Sequence, residues 1–232
     1  MRSKLGTHPV IIGVEQDLAN RLLRRGGANN RADRKSWQLT ERQAAKLIDG
    51  CRRAHADGMG MNRFITVSWE PAGLAARESV AATGDWIRLA REWLRQRGYP
   101  AAWVWTQENG PRLGAHCHIL LHVPPDLAPL FRGKPSQWAR QVIQSRGGAY
   151  KAGTVLSRKI ATGRACNGQS AAYQALVMGR LHYLLKCTPA AFEGPLGMVP
   201  WRYKPWGQQC LVYGKRAGVW QHRTARKIKV RR

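Results

Sequence analysis

The run Ala115-His116-Cys117-His118-Ile119-Leu120-Leu121-His122-Val123, closed by Pro124-Pro125, restricts the fold of this chain more than any other stretch. It alternates with the period of two that a strand requires, and the paired prolines cannot continue a hydrogen-bonded ladder. Ala115, Cys117, Ile119, Leu121 and Val123 share one apolar face suited to packing against helices. His116, His118 and His122 project from the other face, interrupted only by Leu120. Two imidazoles two positions apart on a strand lie roughly 7 Å apart at the backbone, near enough for both rings to converge on one cation. Upstream, Ala101 to Glu108 reads as a second strand, and the Asn109-Gly110-Pro111 turn folds it back as a hairpin. That places the Glu108 carboxylate beside His116. Two imidazoles and a carboxylate with open positions form a candidate site for a divalent metal such as Mg²⁺ or Mn²⁺.

Charge narrows the partners. The 232 residues hold 39 Lys and Arg against 13 Asp and Glu, a net charge of +26. Such an excess opposes compaction unless a polyanion neutralises it, and nucleic acid is the natural candidate. An anionic membrane is the competing explanation, but no cationic amphipathic helix, lipidation signal or long apolar run supports it. Hydrophobic residues make up 44% of the chain and include 10 Trp, enough for a real core. The five cysteines, Cys51, Cys117, Cys166, Cys187 and Cys210, form no C-x-x-C pair and point to a reducing cytoplasm.

Along the chain, residues 1–35 read as a basic arm, and Thr40-Glu41-Arg42-Gln43 is a capping box opening a helix to about Ala56. Arg63 to Trp69 reads as a strand with Ile65, Val67 and Trp69 facing the core and Thr66 and Ser68 on the histidine face. A helix is expected from Thr83 to Arg97, with Trp86, Leu89, Ala90, Trp93 and Leu94 as its buried stripe. Further helices are expected over Ser136–Arg146 and from Ser170 to about Cys187, with a short strand over Gly153–Ile160. This order predicts an α+β fold: an antiparallel β-sheet with helices packed on one face and the other face free for a ligand. Three segments follow: a basic N-terminal arm and helix (1–60), a central domain (61–190) and a basic, Trp-containing C-terminal extension (191–232).

In the last helix, Tyr183-Leu184-Leu185-Lys186 sets an aromatic hydroxyl and an ammonium three residues apart. On a wheel of ~100° per residue, Tyr173, Val177, Leu181 and Leu184 centre the apolar stripe. Gly179, Tyr183 and Lys186 lie together along its edge, while Arg180 falls inside the stripe. Glu108, His116-Cys117-His118 and Tyr183-x-x-Lys186, in that order in a very basic chain, resemble the HUH endonuclease superfamily. The resemblance is to single-tyrosine rolling-circle replication initiators (Rep proteins) of plasmids and phages. It spans about residues 62–190, with Phe64 to Ser68 similar to the first family motif. It implies an HUH/Rep-like, RRM-like core, with His116, His118 and Glu108 as metal ligands, Tyr183 as nucleophile and Lys186 as its partner.

The activity so implied is nicking and rejoining of single-stranded DNA through a 5′-phosphotyrosine, on a single strand or an origin stem-loop. His122, Arg180, Arg112, Arg202 and Lys204 are candidate DNA contacts. Trp201 to Trp206 interleaves aromatics with cations and reads equally as a base-stacking segment or a Pro-bounded packing loop. The chain has no P-loop motif, so unwinding is expected to fall to a host helicase. The resemblance implies a cytoplasmic protein of a bacterium or phage-infected cell. A transposase or mobilisation relaxase shares the same residues, and a non-catalytic nucleic-acid-binding module is the reading from another class.

Overall fold

The computed structural model describes residues 33–160, 170–198 and 211–221. Its strands are β1 (Lys35–Ser36), β2 (Arg63–Ser68), β3 (Trp103–Gly110), β4 (Gly114–Leu121), β5 (Val155–Lys159), β6 (Val212–Tyr213) and β7 (Ala217–Val219). Its α-helices are α1 (Glu41–Ala56), α2 (Ser79–Arg95), α3 (Ala128–Phe131), α4 (Lys134–Gln144) and α5 (Ala171–Leu184). Five strands form one antiparallel sheet in the order β5-β2-β4-β3-β7, and β1 pairs separately with β6. The protein is therefore α+β, as expected. Among the described residues, no helix is long and apolar enough to cross a membrane.

Side-chain alternation distributes the sheet between two cores. Ile65, Val67, Trp105, Cys117, Ile119 and Leu121 pack with Trp86, Trp93 and Leu94 of α2 and Trp138, Val142 and Ile143 of α4. The indoles lock edge to face: Trp138 lies 5.3 Å from Trp86 and 5.9 Å from Trp93, ring centre to ring centre. Such contacts add to the area that aromatic rings bury. Trp86 and Trp93 are thus core residues and not a stacking platform.

The second core changes the expectation that helices cover only one face. Phe64, Val104 and Leu120 emerge on the histidine side, and they are buried against Leu47, Ile48 and Cys51 of α1 and Leu181 and Leu184 of α5. These three apolar residues cannot be left in water, so two helices cover that end of the face. The polar remainder, Ser68, Thr66, Thr106, Glu108, His116 and His118, becomes the floor of a recess and is itself buried. β2 and β4 are consequently buried on both faces, a condition that erases simple alternation.

Local chemistry sets the boundaries. Thr40 caps α1: its hydroxyl accepts from the Gln43 N–H, while the Gln43 side chain accepts from the Thr40 N–H. α2 begins at Ser79, four residues before the expected Thr83. Thr83 is instead an interior residue that takes the Trp69 indole N–H at 2.9 Å and lies 2.9 Å from the Ser79 carbonyl oxygen. Segments flanking the central region join the same layers. α1 packs in the second core, and β7 extends the sheet along β3, pairing Thr106 with Ala217 and Val104 with Val219.

Replacing Trp86 by Ala removes a fully buried indole and its N–H bond to the Pro135 carbonyl. The expected loss of unfolding free energy, measured by urea titration, is about 3–5 kcal/mol, the range for large-to-small core changes.

Candidate metal centre and tyrosine

Strand register brings the polar residues together. Glu108 on β3 and Ser68 on β2 both pair with His116 of β4, while Thr106 and Thr66 flank His118. The hairpin is fixed from below by Glu70, whose Oε2 accepts from the Ala115 N–H at 2.7 Å. Gly114 makes that approach possible. Its φ is +57°, and a Cβ there would fall 2.6 Å from Glu70 Oε2. Only glycine meets both conditions.

Three buried ligand atoms converge. Glu108 Oε2 lies 3.4 Å from His116 Nε2 and 3.5 Å from His118 Nε2. Ligand atoms of the three residues all lie within 4.8 Å of one another. The other ring nitrogen of each histidine has a partner of its own. His116 Nδ1 donates to the Gly114 carbonyl oxygen at 2.8 Å, which turns its Nε2 toward Glu108. His118 Nδ1 meets the Thr66 hydroxyl at 2.9 Å, leaving its Nε2 aimed at the carboxylate.

Electrostatics give the group the charge state that a cation needs. Burial is the largest influence on His118 and pushes its pKa down, favouring neutral imidazole. Burial alone would raise Glu108, but His118, His116 and Lys186 outweigh it and hold the carboxyl well below its usual range. His118 Nε2 and Glu108 Oε1 are buried without a hydrogen-bond partner, a costly condition unless something satisfies them. Two imidazole nitrogens, one carboxylate and outer-shell partners on both rings fit a divalent cation.

Tyr183 and Lys186 meet this group from α5, whose first turn is capped by the Ser170 hydroxyl accepting from the Tyr173 N–H. The Tyr183 ring lies edge-on to His118 at 4.9 Å and to Phe64 at 5.8 Å. Lys186, just past the helix end, places Nζ 2.6 Å from Glu108 Oε2 and 3.8 Å from the Tyr183 ring centre. Burial would lower the Lys186 pKa, but the Glu108 charge and then Tyr183 outweigh it and hold the ammonium protonated. Tyr173, by contrast, is buried with its hydroxyl on the Met61 carbonyl at 2.8 Å, so it is structural.

The remaining sequence candidates scatter. Arg180 is not buried in the stripe of α5. It is exposed with its guanidinium 5.4 Å over the Phe64 ring, at the edge of the recess. Arg112 is exposed in the β3–β4 turn. His122 follows β4 at its far end, donating from Nδ1 to the Gly60 carbonyl at 2.8 Å, apart from the triad. Arg202 and Lys204, with the Trp201–Trp206 segment, lie outside the described residues. Thr66 is the residue that motif reading left unassigned. Its signal was its alternation onto the histidine face.

No family model matches the chain, and no curated protein matches it. Among solved structures it is similar to the N-terminal nuclease domain of non-structural protein 1 of minute virus of mice. That domain has 8% identity and a TM-score of 0.32 over 51% of this chain and 74% of that one. It is described as having a unique Zn²⁺ coordination in its active-site pocket and a novel mode of DNA recognition at the origin of replication.

Replacing Thr66 by Val keeps shape but removes the partner of His118 Nδ1. Calorimetric titration with Mn²⁺ is expected to show affinity reduced about 10–100-fold, the usual consequence of losing an outer-shell partner. His118→Ala is expected to abolish binding, and Arg112→Ala to leave it unchanged.

Proposed function

We propose that this protein nicks and rejoins single-stranded DNA through a covalent 5′-phosphotyrosine on Tyr183, as an initiator of rolling-circle replication. The observation that supports this most is the meeting of three chemistries in one recess. A tyrosine ring lies 4.9 Å from a candidate metal-ligating histidine, and one half-buried ammonium reaches both Glu108 and Tyr183. A structural tyrosine on a helix has no need of a half-buried cation and a ligand triad beside it.

The repulsion of phosphodiester oxygens for a nucleophile is the barrier to overcome. A divalent ion held by Glu108, His116 and His118 would withdraw charge from the scissile phosphate as a Lewis acid. Two imidazoles per carboxylate suit Mn²⁺ better than Mg²⁺, which prefers oxygen ligands. The Tyr183 hydroxyl loses its proton to solvent and its oxygen bonds to phosphorus, while the bond from phosphorus to the 3′ oxygen breaks. That oxygen takes up a proton and leaves as a 3′-OH. Lys186 stabilises the phenolate and then the negative charge spread over the phosphate. The phosphotyrosine preserves the linkage energy, so attack by a 3′-OH reseals a strand without ATP.

Single-stranded DNA is the fitting substrate because Glu108, His116 and His118 are buried on a sheet face covered in part by α5, and an unpaired backbone can adapt to reach them. The net charge of +26 would supply sequence-independent affinity, and Arg180, exposed beside Phe64, would hold a neighbouring phosphate. Such work belongs to the cytoplasm, where Cys51 and Cys117 would stay reduced thiols. Duplex opening would fall to a separate helicase.

Labelled single-stranded oligonucleotides incubated with protein and Mn²⁺ are expected to give a covalent band on a denaturing gel. Tyr183→Phe or a chelator removes the band, and Lys186→Ala slows its formation about 10²–10³-fold. Salt-sensitive binding without a covalent species under any metal or sequence would leave a non-catalytic nucleic-acid-binding module.

A further inference from the structure

Away from the triad, past the far end of β4, a cavity of about 400 Å³ opens between the α1–β2 connection, the residues following β4 and the first turn of α5. That volume is in the range of small-molecule sites. Its walls are flat: the rings of Tyr99, His122 and Tyr173, with Pro124 and Pro125 beside them. The walls are also held in place. The Asn62 amide ties to both backbone groups of Val123, at 2.8 Å and 3.0 Å, and the Tyr173 hydroxyl ties to Met61.

Its side-chain donors are already engaged, the Asn62 amide with Val123, the Tyr173 hydroxyl with Met61 and the Tyr99 hydroxyl with Asp126, which leaves acceptors to meet a ligand. The Gly60 carbonyl takes the proton of His122 Nδ1, so His122 Nε2 is bare, and burial keeps the ring neutral by pushing its pKa down. Asp126 accepts from the Tyr99 hydroxyl through Oδ2 at 2.6 Å, and its Oδ1 has no partner among the described residues. None of the lining residues is Lys or Arg, in a chain with 39 of them. A pocket built to take phosphate would not exclude cations and include a carboxylate. Ring walls with acceptors call for a flat ligand bearing N–H donors.

We infer that this cavity receives one unstacked base of the substrate strand, and that it prefers guanine. Guanine alone among the bases carries two adjacent donor groups, N1–H and the N2 amine, on one edge, and these match a carboxylate in parallel. Adenine and cytosine present a single amino group next to a ring acceptor, which would face lone pairs of Asp126. Thymine flanks its one N–H with carbonyls. The rings of Tyr99 and Tyr173 supply stacking surface. His122 follows His118 by four residues, roughly 13 Å along an extended chain, so the base lies a few nucleotides from the phosphate at Tyr183. The pocket would thus give sequence preference to a protein whose charge binds any strand. This inference rests on the proposed DNA substrate.

The test uses the full chain with Tyr183→Phe and fluorescent thymine strands carrying one central guanine, inosine, adenine or cytosine. Anisotropy is expected to show the guanine strand binding about tenfold more tightly than the others, inosine included because it lacks the N2 amine. Asp126→Asn, at an exposed position, is expected to erase the preference while leaving Mn²⁺ affinity unchanged. Equal binding of all strands within about twofold, or a preference that survives Asp126→Asn, overturns the inference. The unsubstituted protein run in parallel on denaturing gels separates the two claims. A covalent band without base preference sinks the pocket alone, and a base preference without a band sinks the nuclease alone.

Discussion

A single buried carboxylate dominates the candidate metal centre. Glu108 is almost wholly removed from solvent and faces the Nε2 atoms of two imidazoles. An ionised carboxylate in such a place is expensive unless positive charge comes to it. Lys186 brings one such charge to Oε2, while Oε1 and His118 Nε2 are left without hydrogen bonds. A divalent cation bound by Glu108, His116 and His118 would satisfy both atoms.

The sheet converts that electrostatic demand into fixed geometry. Pairing of Glu108 with His116 across the hairpin, and of Thr66 with His118 on the other side, sets the triad by backbone register instead of flexible loops. A slip of one residue would turn every ligand into the opposite core. Glu70 and Gly114 oppose such a slip at the turn, and the interlocked Trp86, Trp93 and Trp138 hold the sheet's other face. Such rigidity matters to a candidate metal group, because a ligand displaced by an ångström would no longer share a cation with its neighbours.

Much of this was legible in the residues. The period of two in Ala115–Val123 fixed which face carried the histidines, and the hairpin turn fixed Glu108 beside His116. The helical wheel put Tyr183 and Lys186 on a common edge, which is the edge that meets the triad. What stayed hidden depended on contacts distant in sequence. Leu120 looked like an interruption of the ligand face, yet with Phe64 and Val104 it is the seat for α1 and α5. The three-residue strand β7 carries no periodic signal of its own, and it exists because the β3 edge offers it a ladder. Thr83 looked like a helix start because threonine favours caps, but its hydroxyl was needed by Trp69 inside the core. Arg180 had no account as an apolar-stripe residue. The Phe64 ring beneath its guanidinium provides one.

The account stands on a cation shared by Glu108, His116 and His118 beneath the Tyr183 ring. Anomalous diffraction from crystals grown with Mn²⁺ tests it most directly. The expected result is one peak bonded to Glu108 and to Nε2 of both histidines, with the Tyr183 hydroxyl facing it. A triad that binds no metal, with Lys186 remaining its only cation, would contradict the account.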